Sequence, residues 1–268
     1  MTTLQVAGFS SSILIGISLG LLGGGGSILT LPVLVYLLHI NPILSTAYSL
    51  FIVGTTSLVG SINYMKQGLI NYSAAVAFAL PSLVTVILAR QFMLPHIPAR
   101  LPLWAGFELT KPVALMVLFA LIMLAAAYSM IRENKAVSVT EREDKGTNFP
   151  VIALEGGLVG LVTGIVGAGG GFLIIPTLVL FARLPMKTAI GSSLLIIAFN
   201  SLVGFTSSPA AQVIDWGFLS VFTALSVGGI FLGSQLARYI AGQHLRKAFG
   251  WFVLGMGVFI LAKELLFR

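Results

Sequence analysis

A chain of 268 residues that is 57% hydrophobic and 9% charged departs from the ~45–50% apolar and ~25% charged make-up of a soluble domain. It has no cysteine, which excludes disulfide frameworks and thiolate metal sites. Its net charge of +7 comes from Lys and Arg standing singly between apolar runs, a pattern of loop charges that orient a membrane protein and not a nucleic-acid face.

Read in units of about 20 apolar residues, the length of one membrane span, the chain opens with an apolar segment at 5–22. No Lys or Arg precedes it and no small-residue cleavage site follows, so it reads as a retained first membrane helix. Gly16 and Gly20 have the spacing of close helix packing. Gly23-Gly24-Gly25-Gly26-Ser27, with Pro32, then interrupts the pattern, and the segment at 27–38 is long enough for only about half of a ~30 Å apolar core. Freed backbone N–H and C=O groups persist at membrane depth only where they are buried in protein or line a polar cavity. Such a broken helix marks a transporter's binding site, its N-terminal N–H groups suiting an anion.

The next segment, 43–64, carries Ser45, Thr46, Ser49, Thr55, Thr56 and Ser57. Hydroxyls donate to an oxyanion while leaving the path neutral, although Ser and Thr in membrane helices also bond back to their own backbone. Segments 73–94 and 112–131 bring Arg90 and the pair Lys111-Pro112, charges near enough to a span end to reach headgroups or water. Residues 132–149 hold about a third of all charges and almost no large apolar side chain, the composition of a solvated linker.

Segment 150–167 contains Glu155 a few residues inside its start. It reads as an interface residue, with proton coupling as the alternative. Gly167-Ala168-Gly169-Gly170-Gly171, with Pro176, opens a second half-length segment at 172–182. Segment 187–208 carries Ser192, Ser193, Asn200 and Ser201, and 216–237, after Asp215, and 249–266 complete the chain. His39, His96 and His244 lack carboxylates at i+3 or i+4. Neither a metal, a cofactor nor a nucleotide-binding loop is expected.

Shifting the sequence by 144 residues aligns Gly16–Tyr72 with Gly160–Trp216 without a gap, with about 17 identities in 57 pairs. Gly20, Gly23, Gly25, Gly26 and Pro32 fall on Gly164, Gly167, Gly169, Gly170 and Pro176, and Ser49 and Ser57 fall on Ser193 and Ser201. The expected fold is an all-α integral membrane protein, a polytopic bundle of about eight spanning helices and two short broken or re-entrant half-helices. Residues 1–131 form one membrane repeat, 132–149 the charged linker and 150–268 the second repeat. If each Gly-broken pair is a hairpin, each half crosses an odd number of times and the copies are inverted. That arrangement collects about ten Lys and Arg on one side against about five opposite, and so places both termini outside.

GLLGGGGSILTLPVLVYLL and GIVGAGGGFLIIPTLVLFARLPMKTAIGSSLL resemble the twin signatures of the TauE/SafE sulfite exporter family, and the resemblance covers nearly the whole chain. It implies a duplicated multi-helix transporter of sulfite, sulfonates or other small organosulfur or carboxylate anions. Gly24, Gly25, Gly26 and Ser27 with Pro32, and Gly169, Gly170 and Gly171 with Pro176, stand at the motif positions, and Ser49 and Ser193 lie in the adjoining helices. The first copy departs in reading Tyr48-Ser49 where the second has Gly191-Ser192-Ser193.

The expected activity is secondary transport of a small oxyanion across the cytoplasmic (inner) membrane of a prokaryote, without catalysis or cofactor. Its expected partners are the anion and lipid, with self-association open. The candidate substrate-binding residues are Gly24, Gly25, Gly26, Ser27, Ser49, Ser57, Gly169, Gly170, Gly171, Ser192, Ser193, Asn200 and Ser201. Pro32 and Pro176 are the expected breaks and Glu155 the candidate coupling acid. A carrier of sulfate, thiosulfate or small carboxylates, a membrane subunit and an intramembrane enzyme are the alternatives.

Overall fold

The computed structural model describes residues 3–93, 96, 100–102, 108–132, 149–166, 171–208 and 214–266. The first set of helices is α1 (Thr3–Leu22), α2 (Gly25–Pro32, continued by a π-helical turn Val33–Leu37), α3 (Pro42–Lys66), α4 (Tyr72–Leu88, continued by a π-helical turn Ala89–Met93) and α5 (Lys111–Arg132). The second is α6 (Phe149–Val166), α7 (Gly171–Leu180), α8 (Met186–Thr206), α9 (Trp216–Tyr239) and α10 (Gly242–Leu266). Two three-residue strands, β1 (Arg100–Pro102) and β2 (Glu108–Thr110), pair antiparallel ahead of α5. The apolar pattern carries no signal for so short a pair. The charged stretch between α5 and α6 falls outside the described residues, apart from its ends.

Side-chain caps set several helix starts. Asn41, Asn71 and Asp215 accept the backbone N–H groups of Ile43, Ala74 and Phe218 at 2.9, 3.0 and 3.0 Å and so begin α3, α4 and α9. α3 ends at Gly68, whose φ of +67° lets Leu69 N–H return to the Tyr64 carbonyl at 3.0 Å. α10 begins seven residues before the apolar run at 249–266. Its added turns keep Leu245 buried in line with Phe249 and Val253 while leaving His244 and Lys247 exposed, a stripe that the charges obscure in the sequence.

The Gly run folds α2 back along α1. Gly23 has φ +68°, which a residue with a Cβ adopts only under strain. A Cβ on Gly26 would run into the Leu19 side chain and lie 2.7 Å from the Ile15 carbonyl oxygen. One on Gly8, at the far end of the arm, would lie 2.6 Å from Leu38 Cδ2. In a helix continued straight, Ile15 and Gly26 would stand about 16 Å apart, so α1 and α2 form an antiparallel hairpin that returns to the side it left.

Among the described residues, the second half matches the first at equivalent positions. The half-helices close with the same wide turns. Leu38 and Ile40 N–H groups bond to the Val33 and Leu34 carbonyls, and Ala182 and Leu184 N–H groups to those of Thr177 and Leu178. Each turn passes through a left-handed residue, His39 at φ 53° and Arg183 at φ 52°. Gly16 and Gly20 seat α1 against Ser226, Gly229, Ile230 and Gly233 of α9. Gly160 and Gly164 seat α6 against Ser82, Thr85, Val86 and Ala89 of α4. Every one of these numbers differs from its counterpart by 144. The small-residue pairs are therefore packing glycines, and each half lends its first helix to the other half's α4-type helix.

The two halves are inverted. α3 and α8, which the repeat equates, cross in contact at their centres, where Gly54 faces Ser201 and Leu202, Gly60 faces Leu194, and Leu50 faces Gly204. Partner numbers fall along α8 as they rise along α3, so the helices are antiparallel and the rotation relating the halves runs across them. α5 and α10 pair the same way, Gly250 facing Met130 and Ile131, and Gly257 facing Ala120 and Leu124.

Among the described residues six helices, α3, α4, α5, α8, α9 and α10, are long and apolar enough to cross a membrane. α1 at 20 residues and α6 at 18 are the other two apolar segments of the expected length, and α1 is an arm of the hairpin with α2. Val76, Leu80, Val84 and Leu88 of α4, and Leu154 and Leu158 of α6, form exposed apolar stripes at i, i+4 spacing, surfaces that only lipid covers without cost.

Candidate functional site

The starts of the two half-helices meet at the centre of the bundle. A Cβ on Gly171, the first described residue of α7, would lie 3.1 Å from Gly24 Cα and 3.1 Å from Ser27 Oγ. The α2 start has no side-chain cap. Gly23 and Gly24 N–H groups bond to the Leu19 and Leu22 carbonyls, whereas the N–H groups of the first turn of a helix point out of it unpaired and carry its positive dipole end. The glycines divide the work. Gly23 supplies the reversed φ, Gly25 and Gly26 let the arms approach, and Gly24 and Gly171 let the two halves meet. Gly169 and Gly170 lie outside the described residues.

Pro32 and Pro176 do not break the chain. Both sit inside the half-helices, and the reversal in the first half is made by Gly23 and Gly24. A proline lacks the N–H for a helical bond, and α2 widens into its π-helical turn immediately after Pro32.

α3 and α8 flank the meeting point with polar groups that have lost water and found no substitute. Ser49, Thr56, Ser57 and Ser201 are fully buried, and their hydroxyl oxygens have no hydrogen-bond partner. Asn200 donates from Nδ2 to Ser82 Oγ at 2.5 Å, and its Oδ1 is unpaired. Leaving such a group unsatisfied costs about 1–3 kcal/mol. A cluster of them on two helices that cross beside a pair of helix starts is an arrangement for a polar guest. Ser193, with its hydroxyl given to the Ile190 carbonyl at 2.8 Å, would meet a Cβ on Gly23 at 2.9 Å. It therefore lines the first reversal from the other half.

Other expected residues serve the scaffold. Ser45 and Thr46 bond back to the Ile40 and Ile43 carbonyls. Ser192 Oγ accepts the Asn71 N–H at 2.9 Å, and Tyr48 OH accepts the Asp215 N–H at 2.9 Å. Tyr48 and Ser192 are repeat-equivalent, as are Asn71 and Asp215, so the apparent departure of the first copy preserves one function. Each fixes the start of an α4-type helix in the opposite half. Asp215 is thus a capping residue. Glu155 is half-buried with Oε2 unpaired, and its neighbour Gly156 packs on Phe78. Among the described residues no cluster of His, Asp or Glu is placed to hold a metal.

Arg90 differs from its expected place at an interface. It is 1% exposed, and Nε, Nη1 and Nη2 are all without a hydrogen-bond partner. It sits where α4 widens into a π-helical turn, one residue beyond Ala89, which packs on Gly164. A buried guanidinium left uncompensated costs several kcal/mol. Its sequence signal is position on a face: Ser82, Val86 and Arg90 follow at i+4 steps, and Ser82 and Val86 face α8.

Cavities open at opposite ends of α3. One of about 200 Å³ is lined by Tyr64, Gln67, Lys187, Ser234 and Arg238. Tyr64 OH there donates to the Gly20 carbonyl at 2.8 Å, three residues short of the first reversal. The other, about 540 Å³, is lined by Phe9, Leu38, Tyr48, Asp215 and Phe218.

Antiparallel equivalent helices, half-helix starts meeting at the centre and a cavity at each end of the bundle are the arrangement of a multi-pass membrane transporter. The profile of the family described as Sulfite exporter TauE/SafE matches residues 8–260, and the chain belongs to that family. Two proteins of Xylella fastidiosa, each named "Probable membrane transporter protein", are similar to it. The one from strain Temecula1 is 30% identical over 251 residues, 92% of this chain and 91% of its own, and the one from strain 9a5c is 29% identical over 255 residues with the same coverage. A protein of Methanocaldococcus jannaschii with the same descriptive name is 27% identical over 267 residues, 93% of this chain and 94% of its own. No solved structure matches the chain.

Proposed function

We propose that this transporter carries a small oxyanion, sulfite or an organosulfur anion foremost, across the cytoplasmic membrane of a prokaryote. The anion is held where the α2 and α7 starts meet and passes as the two halves rearrange around it. The observation that carries this reading is the contact of Gly171 with Gly24 and Ser27, flanked by the unpaired groups of Ser49, Thr56, Ser57, Asn200 and Ser201. Helix-start N–H groups and hydroxyls supply the donors that an oxyanion sheds with its hydration shell. The family's description supports sulfite, whereas the donors themselves serve sulfate, thiosulfate and carboxylates by the same chemistry.

The reading assigns the driving force for export to the membrane potential, worth about 2.3 kcal/mol per charge per 100 mV, with proton coupling through Glu155 as the alternative. Purified protein in proteoliposomes is expected to take up labelled sulfite saturably, with competition from small sulfonates. No uptake above empty liposomes for sulfite, sulfate, thiosulfate, sulfoacetate and acetate would remove the proposal.

A further inference from the structure

The two-fold arrangement makes one position conspicuous. Ser234 lines the cavity beside Tyr64 and accepts a hydrogen bond from Asn63 Nδ2 at 2.7 Å, and its backbone N packs on Gly20. Its repeat equivalent is Arg90, next to Gly164 through Ala89. The groups around the first reversal, namely Gly20, Ser193 and Ser234, thus have Gly164, Ser49 and Arg90 as their repeat counterparts. In the first set the hydroxyls of Ser193 and Ser234 are bonded to their own helices. In the second, Ser49 Oγ and the whole Arg90 guanidinium are buried and unpaired. The acid on the packed helix α6, Glu155, lies level with Phe78, and twelve residues of α4, about 18 Å, separate that level from Arg90. Val86, one turn before Arg90, packs with Leu50 around Gly204, so the α4 face that bears Arg90 is turned toward α3 and α8.

Resting on the transport reading above, we infer that Arg90 is the charged anchor of the transported anion, a binding residue with no charged counterpart in the other half. A guanidinium presents paired N–H donors in a fixed plane. It selects an anion with two oxygens along one edge, such as sulfite, a sulfonate or a carboxylate, over a spherical halide. One fixed positive charge among the neutral hydroxyls of α3 and α8 makes the site neutral with a monovalent oxyanion bound. The asymmetry gives the anchor to one half alone, toward the end of the bundle opposite Lys187 and Arg238.

The test uses Arg90→Met and Arg90→Lys in the full chain, with thermal melting in detergent and uptake in proteoliposomes. Sulfite and methanesulfonate are the probes and chloride the control. Both oxyanions are expected to raise the Tm of the unmodified protein, and chloride is not. R90M should be at least as stable as the unmodified protein in anion-free buffer, because a partnerless buried charge is gone. It should also lose the anion-dependent rise and weaken uptake affinity roughly 30-fold or more. R90K keeps the charge without the fork and should fall between, roughly tenfold weaker, with poorer discrimination against chloride. An R90M protein that melts lower without anion yet keeps the full oxyanion-dependent rise would make Arg90 a structural residue. Should R90M fail to fold, unmodified affinity and selectivity in R90K overturn the inference. Oxyanion binding that R90M abolishes, in a protein that moves no anion, would remove the transport reading and leave the anchor standing.

Discussion

A buried hydroxyl without a partner contributes nothing to stability that a methyl group does not, and removing it relieves an unsatisfied donor. Ser49, Ser57 and Ser201 are in that condition. Ser→Ala at each is therefore expected to leave the melting temperature unchanged or slightly raised while weakening sulfite uptake several-fold. A fall in Tm with uptake intact would mean that these hydroxyls glue helices together instead. Ser192 and Tyr48 are chemically similar candidates by sequence, but each accepts the N–H that begins a helix of the opposite half. No local pattern separates these two kinds of polar residue, because the difference is which element stands across from them.

At the scale of the element, the Gly run is legible from composition, since four consecutive glycines do not continue a membrane helix. That the break makes a hairpin follows from Gly26, where the absent Cβ leaves room for Leu19 and the Ile15 carbonyl. Gly26→Val is expected to splay α2 from α1 and abolish uptake, because the hairpin sets the level at which Gly24 meets Gly171. Membrane insertion should survive, since the long apolar helices are untouched. Protease protection in membranes reads the insertion and proteoliposome uptake reads the function. Wild-type uptake in this variant would detach the hairpin from transport. The half-helices, by contrast, end in wide turns at His39 and Arg183, two unlike residues at equivalent positions, which is why sequence identity alone does not reveal the match.

For the whole molecule, antiparallel α3 and α8 fix the relation of the halves to each other, and the bias of Lys and Arg predicts which face meets the cytoplasm. Lys66, Lys187 and Arg238 stand near one end of the bundle, with Lys187 Nζ 3.0 Å from the Arg238 carbonyl, and both termini are expected outside. With no native cysteine in the chain, single-cysteine labelling at Gln67 and at Tyr239 should report the cytoplasmic face and labelling at Asp215 the outer face. Modification of Asp215 from the same side of intact cells as Gln67 would discard the inverted placement.

The sequence by itself determined the membrane as solvent, the two Gly-broken copies and the apolar lengths of the helices, because these depend on residue type and on spacing along one chain. It also pointed to Ser49, Ser57, Ser193 and Ser201 through the repeat. Only the tertiary structure decided that the first helix of each half packs on the other half and that Pro32 and Pro176 lie within helices. It decided, too, that Arg90 is enclosed and not drawn out to headgroups. A charge near the end of an apolar segment has the same local sequence in both cases. What separates them is whether protein or lipid covers that turn of the helix, and α4 turns Arg90 inward on the face that Ser82 and Val86 already present to α8.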